Sequence, residues 1–509
     1  MSGIRRRRGV EDTKRDAAMR SLARWLYLNS KYMSVRLARY AVRRIVRWAD
    51  RESLLKDADR RIVESLIPGF KSVAHLAKYD FAVEALINSR FEGLPIIRMV
   101  GSRRDRGAAS QFERHKALFR YPYRVLICVP WLRTGGAEKV AANLAHALSD
   151  LYGPKSVAVL VLDYTPAFVK KHYPDDMSSR SWFPKEVPVF DLSDTNKIDL
   201  QHRIEMLANL FLAVAPELIV NVNSETAWEC YLRYGKQLSQ HVRLAACLFC
   251  NDYLPYGVPA GYAVTYFRET ISSLDVILSD QQHFLDKLSQ RYRLVSQEAA
   301  KLRCIYQPVA LALGAAGDPV RYGRLSGPSA HRRQILWAGR ITAQKNPDLL
   351  IELIRRNPSY DFHVYGSLEK EYRLSGMSNL FLHGPFSKFD DIPHERFDAL
   401  LYTSLWDGLP NILLEAASRG LPIVAPMVGG IGELVTSQTG WPVDGPDDIA
   451  AFSDSLRQVA YEFDVCKGQR RIAAMRHLIE SRHSMTAFTN SISLLMERQR
   501  SQCRQLQAS

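Results

Sequence analysis

The chain has 509 residues, 47% of them hydrophobic and 24% charged, so it can bury two or three domain cores and is neither a disordered nor a fibrous protein. Its formal charge of +16 is concentrated near the start, where residues 1–60 hold seventeen Lys and Arg against seven Asp and Glu, a surplus of ten. Seven cysteines, an odd number without framework spacing, exclude a disulfide scaffold and fit a reducing compartment, with the cytoplasm as the expectation. No stretch has the apolar length of a membrane span. The arginines at 5–8 have no apolar run behind them, so neither a secretory nor a twin-arginine signal follows.

In chain order, residues 1–120 read as a basic region of helices and loops, with a plausible linker at 98–110. Within it, winding residues 35–51 as a helix puts Val35, Ala38, Val42, Ile45, Val46 and Ala49 on one face and Arg36, Arg39, Arg43, Arg47 and Arg51 on the other, with Trp48 and Leu37 widening the apolar side. A basic amphipathic helix with a tryptophan suits an anionic membrane surface; equally, it describes a helix packed on its own protein. From residue 123 the pattern alternates between strands and helices. VLICV (125–129), SVAVLVLD (156–163), ELIVNVN (217–223), RLAACLFC (243–250) and DVILSD (275–280) read as strands of one parallel sheet. A connector rich in Gly, Ala and Pro follows at 311–332, and alternation resumes with QILWAGR, DFHVYG, NLFLHG, DALLYTS and PIVAP. Two doubly wound α/β domains in series are predicted.

Ligands of open parallel sheets sit beyond the carboxyl ends of the strands, which singles out three loops. In TGGAE, Gly135 and Gly136 stand where a helix begins, and its free N–H groups and dipole suit phosphate; an ordinary tight turn is the bland alternative. After QILWAGR, Gly339, Arg340 and Lys345 precede a helix starting near Asn346 or Pro347, and two cations there make an anion site unless both are simply solvated. In WDGLPNILLEAASRG, Asp407, Gly408, Leu409 and Pro410 form the turn into a helix whose second turn carries Glu415, a carboxylate placed to accept a ribose diol. Cys247 and Cys250 tempt a zinc reading, but on a strand positions three apart face opposite ways, and no metal site is expected there.

Taken together, GGAEKVAANLA, GR-x4-K at 339–345 and DGLPNILLEAASRGLPIVAPMVGGIGELV resemble the retaining nucleotide-sugar glycosyltransferases of family 4, which have the GT-B fold. The resemblance covers most of residues 123–444. It implies two Rossmann-like domains facing a cleft, and a nucleotide-sugar donor, a UDP- or GDP-sugar, bound mainly by the C-terminal one. By resemblance, Arg340 and Lys345 hold the donor diphosphate, Glu415 the ribose, and Gly136 approaches from the other domain. Two departures stand out. The family's Glu-x7-Glu begins here with Asp407, one methylene shorter, and its histidine beside the transferred sugar is replaced by Asn251 and Asp252, of which Asp252 is a candidate sugar contact.

The resulting expectations are a basic helical extension at 1–120, an acceptor-side domain at 121–325, a donor-side domain at 326–480 and a C-terminal helix and tail at 481–509. The activity implied is metal-independent transfer of a sugar, with retention, to a glycan or lipid-linked acceptor in surface polysaccharide or lipopolysaccharide synthesis. No tightly bound cofactor and no nucleic acid partner are expected, and the implied location is the cytoplasm or the inner face of its membrane, with residues 1–60 as the anionic-surface contact. Catalytic weight falls on Arg340, Lys345, Asp407 and Asp252. An inactive GT-B homologue acting as a binding subunit is the alternative, favoured by Asp407 and Asn251; a nucleic-acid binder explains the basic start but not the two sheets.

Overall fold

The computed structural model describes residues 121–133, 135–163, 179–193, 200–254, 257–311, 332–367, 376–464 and 467–507, with Leu118 beside them. The basic segment 1–60, with its amphipathic stretch 35–51, the linker 98–110 and nearly all of the connector 311–332 lie outside the described residues.

The first sheet is built from β1 (Val125–Val129), β2 (Val157–Val161), β3 (Val189–Asp191), β4 (Leu218–Val222), β5 (Arg243–Cys247), β8 (Val276–Ser279) and β9 (Leu302–Cys304), all parallel, in the order β3-β2-β1-β4-β5-β8-β9. Between β5 and β8 a small antiparallel hairpin, β6 (Asp252–Leu254) and β7 (Val258–Ala260), stands apart from the sheet. Helices α1 (Gly136–Tyr152), α2 (Leu200–Val214), α3 (Glu225–Leu238) and α4 (Gln282–Tyr292) flank it. The strands β1, β2 and β4 are apolar runs buried on both faces, as a sheet covered on both sides requires. The chain order reverses between β1 and β4, so β1 leads straight into the crevice where α1 begins.

The second sheet repeats the design: β10 (Arg333–Ala338), β11 (Tyr360–Tyr365), β12 (Leu380–Gly384), β13 (Ala399–Leu401), β14 (Ile423–Pro426) and β15 (Trp441–Val443) run parallel in the order β12-β11-β10-β13-β14-β15. Helices α5 (Pro347–Arg356), α6 (Asn411–Ser418), α7 (Ile449–Asp464) and α8 (Gly468–Arg482) belong to this half. The last helix, α9 (Met485–Gln507), returns to the first domain: Phe488, Ile492 and Met496 join Val140, Leu144 and Leu148 of α1 in one buried cluster.

Two strands end sooner than their apolar runs suggest. RLAACLFC leaves the sheet after Cys247, because its neighbour β8 is only four residues long and the chain must turn into the β6–β7 hairpin. Cys250 thus lies in a loop rather than on a strand. DALLYTS forms a strand only over Ala399–Leu401, although the Tyr402 amide still donates to the Val424 carbonyl at 2.9 Å.

Candidate active site

The two switch points face each other. At the end of β10 the chain runs through Gly339 and the exposed Arg340 into a short 3-10 turn, Ala343–Lys345, and then α5, whose N-cap Asn346 accepts from the Leu349 amide at 3.3 Å. Lys345 is fixed by its own backbone: its carbonyl accepts from Thr403 Oγ1 at 2.6 Å, and that hydroxyl also accepts from Trp337 Nε1 at 3.0 Å. Across the switch, the loop after β13 carries Asp407. Gly429 holds that loop, since at φ +55° it lies in the left-handed region and a Cβ there would meet the Asp407 carbonyl at 1.9 Å.

The catalytic and donor-binding residues expected from the sequence line one cavity of about 460 Å³: Gly135, Gly136 and Asp252 from the first domain, and Gly339, Arg340, Lys345, Asp407, Gly408, Leu409, Pro410 and Glu415 from the second. Gly135 is the extended N-cap of α1, with no side-chain cap. Gly136 is its first residue and faces Asn411, the first residue of α6: a Cβ on Gly136 would stand 3.7 Å from Asn411 Nδ2. Two helix N-termini therefore open on the same space. Asp252 is the first residue of β6.

Asp407 is tied into its own domain by several hydrogen bonds. Its Oδ2 accepts from Lys345 Nζ at 2.5 Å and from Tyr402 Oη at 2.5 Å, with Ser404 Oγ at 3.4 Å, and its Oδ1 accepts from the Gly408 amide at 3.0 Å. Lys345 Nζ also donates to Tyr402 Oη. Burial pushes the Asp407 carboxyl up, but the Lys345 charge and these hydrogen bonds outweigh it and hold it below its ordinary value. The short carboxylate is thus an anchor that aims a lysine.

Several residues at the site escaped the sequence reading. Asp280, directly after β8, is only 6% exposed; its Oδ2 accepts from the Leu409 amide at 3.3 Å across the cleft, and its Oδ1 has no hydrogen-bond partner. Burial, with the Asp407 charge adding to it, pushes its carboxyl up to about 7. Glu138, in the first turn of α1, is likewise buried and pushed up to about 7, its own amide and the Arg340 charge pulling the other way. Lys139 lies beside Trp182, 5.3 Å from the ring centroid, and its charge offsets part of the burial that raises the Glu415 carboxyl. The signal for Asp280 was present, since it closes a strand at its carboxyl end; Lys139 sits three residues past Gly136 with nothing in its spacing to mark it.

With this geometry in place, comparison with known proteins is informative. Residues 332–461 match the family described as Glycosyl transferases group 1. In the curated O-antigen biosynthesis glycosyltransferase WbnH of Escherichia coli, 129 residues are 30% identical, 24% of this chain and 37% of that protein. In the D-inositol 3-phosphate glycosyltransferase of Corynebacterium diphtheriae, 173 residues are 26% identical, 30% of this chain and 40% of that one. The chain thus spans well under half the length of the curated relatives it matches. Among solved structures, the lipopolysaccharide outer core galactosyltransferase WaaB superposes with a TM-score of 0.54 at 15% identity over 74% of this chain and 99% of its own. The Anabaena protein HepE in complex with UDP does so with a TM-score of 0.52 at 15% identity, over 74% and 100%. The fold is GT-B. In GT-B terms, the cavity above lies in the cleft between the two Rossmann-like domains, where all eleven residues read from the sequence meet.

Proposed function

We propose that the chain is a retaining glycosyltransferase that moves a sugar from a UDP- or GDP-sugar to a glycan or lipid-linked acceptor in surface polysaccharide or lipopolysaccharide synthesis. One observation carries the reading: a fixed lysine, an exposed arginine and two helix N-termini converge on one cavity between the sheets, beside a carboxylate on α6. That arrangement suits a nucleoside diphosphate leaving group. Arg340 and Lys345 neutralise the charge that builds on its phosphate as the bond breaks, and a low-dielectric cleft makes each contact worth more than in water. Glu415 accepts the ribose hydroxyls. The bond between the anomeric carbon and the phosphate oxygen breaks, and its electron pair leaves with the nucleoside diphosphate. The acceptor hydroxyl oxygen bonds to the anomeric carbon on the same face and gives its proton to the departing phosphate. Protein cations supply the positive charge, so the reaction is expected to persist with a metal chelator present.

The kinds of relative found support this class of acceptor, O-antigen and outer-core glycans being what those named proteins build or extend. Residues 1–60 then serve to hold the catalytic domains at an anionic membrane surface. Thermal-shift titration with UDP, GDP and their sugars tests the donor, and NMR of the product's anomeric signal tests retention. No stabilisation by any nucleoside diphosphate, together with no hydrolysis or transfer, removes the reading in favour of an inactive binding subunit.

A further inference from the structure

A second cavity, of about 480 Å³, adjoins the first and shares Cys250 and Asp407 with it. The strand β6 explains the division: Asp252 lines the first cavity, while its neighbours Asn251 and Tyr253 line the second, as alternating side chains on an extended segment must. The second cavity has an aromatic corner, with the Tyr253 and Trp406 rings edge to face at 5.4 Å between centroids. Three polar atoms on its lining residues are buried without any hydrogen-bond partner: Trp406 Nε1, Asn251 Oδ1 and Gln281 Oε1. Native proteins leave few such groups unpaired, and here one donor and two acceptors occur around a single space. Apolar walls with a few polar groups are the usual make-up of a small-molecule site.

Building on the glycosyltransferase reading, we propose that this second cavity is the subsite for the acceptor saccharide. A transfer reaction needs two substrates to meet at one point, and the two cavities meet at Asp407 and Cys250, beside Lys345. The acceptor's terminal sugar lies against Tyr253 and Trp406, with its hydroxyls taking the indole N–H and the two side-chain carbonyls. Trp406, Tyr253 and Asn251 do not line the donor cavity, so they set acceptor choice without touching the nucleotide.

The test is saturation-transfer NMR on the full chain held with saturating UDP or GDP, using the methyl α- and β-glycosides of glucose, galactose and N-acetylglucosamine as probes. In the wild type at least one glycoside is expected to receive saturation, and Trp406→Ala and Tyr253→Ala each weaken it by about tenfold while nucleotide affinity stays within about twofold. Trp406→Phe, which keeps the ring but removes the donor, falls between. With any transfer assay in hand, the acceptor KM rises while the donor KM holds. Glycoside signals that are absent in the wild type, unchanged in both variants, or lost in step with nucleotide affinity overturn the subsite. Absence of nucleotide binding to the wild type instead overturns the glycosyltransferase reading itself.

Discussion

The two walls of the cleft carry charge in opposite ways. On the C-terminal wall two charged pairs are matched: Lys345 and Asp407 form an ion pair at 2.5 Å with Tyr402 bridging them, and Arg419 pairs with Asp390 and donates to the Glu415 carbonyl at 3.0 Å. On the N-terminal wall the buried carboxyls of Glu138 and Asp280 have no cation in ion-pair contact among the described residues, and both hold their protons up to about pH 7. Paired charges of this kind suit a constant task, such as the diphosphate binding proposed above. The unpaired carboxyls change charge with pH, and Asp280 reaches across the cleft to the Leu409 amide. A further link runs the other way: Glu433 of the second domain accepts from the Gln282 and His283 amides at the start of α4, at 3.2 and 2.7 Å, and from Tyr306 Oη at 2.6 Å. Carboxylates thus latch the domains from both sides.

The strongest way to break this contrast is to remove the cation of the matched wall. Lys345→Ala takes away a charge directed at the leaving group and leaves Asp407 buried without its partner, so kcat/KM is expected to fall by about 2 to 4 kcal/mol, roughly thirtyfold to a thousandfold. Arg340→Ala, at an exposed position, belongs at the lower end of that range. Steady-state kinetics with the nucleotide sugar that stabilises the protein read both, and unchanged kinetics in folded variants end the donor-site assignment. Asp407→Glu sharpens the point: with four hydrogen bonds already converging on the shorter acid, the longer one crowds Tyr402, and activity is expected to drop rather than rise.

The contrast is next tested by pH. The unfolded chain ionises Asp280 near 3.8, whereas the folded chain does so at about 7. Well below pH 3.8 both states are protonated and nothing is lost. As pH rises from there to 7, the unfolded chain gains by ionising first, so folded stability declines, and above 7 the loss is constant. At about 1.4 kcal/mol per unit the ceiling is a few kcal/mol. Asp280→Asn, which keeps the shape and cannot ionise, is expected to flatten the fall in melting temperature between about pH 5 and pH 8. An equal slope in wild type and variant places the pH dependence elsewhere, with Glu138 the next group to change.

How much of this was legible in the sequence follows the same division. The C-terminal wall was readable because phosphate and ribose chemistry constrains residue type and spacing: GR-x4-K, Asp407 and Glu415 stand at fixed distances around two helix starts. The two parallel sheets were readable from their apolar runs. Of the N-terminal wall only Gly135, Gly136 and Asp252 were read, because its other contacts join residues far apart in sequence, such as Asp280 with Leu409 or Lys139 with Glu415, and no local period records them. The hairpin β6–β7 was missed for another reason. Its strands have three residues each and one contains a proline, too short and too mixed for alternation to show. The partners of Asp407 were not legible, because a motif gives the position of a carboxylate but not what it pairs with.

A smaller effect is expected on the matched wall at Glu415. Glu415→Gln keeps the size of the side chain and weakens a charge-assisted bond to the ribose hydroxyls, so the donor KM should rise by about tenfold, roughly 1.4 kcal/mol, with kcat little changed. Nucleoside diphosphate affinity, measured by calorimetry, should fall in parallel. A kcat loss at constant KM assigns Glu415 to the reacting sugar rather than to the ribose.

The finest test concerns the backbone part of the N-terminal wall. Gly136→Ala adds a methyl group that meets only Asn411 Nδ2, at 3.7 Å, an ordinary contact, and Gly136 is not in the left-handed region. Replacing a helical glycine with alanine where the backbone permits it favours folding by about 0.5 kcal/mol, so the melting temperature should hold or rise slightly. Yet the methyl stands at the mouth of α1, in the space where a phosphate would approach its free amides. The expected outcome is therefore a protein as stable as the wild type whose donor KM is raised by about threefold, well under 1 kcal/mol. Gly429→Ala is the companion measurement, because its Cβ would strike the Asp407 carbonyl at 1.9 Å and must cost both stability and activity. If Gly136→Ala leaves the donor KM unchanged while Gly429→Ala behaves as expected, the diphosphate rests wholly on the C-terminal wall, and α1 faces the cleft without taking part in holding it.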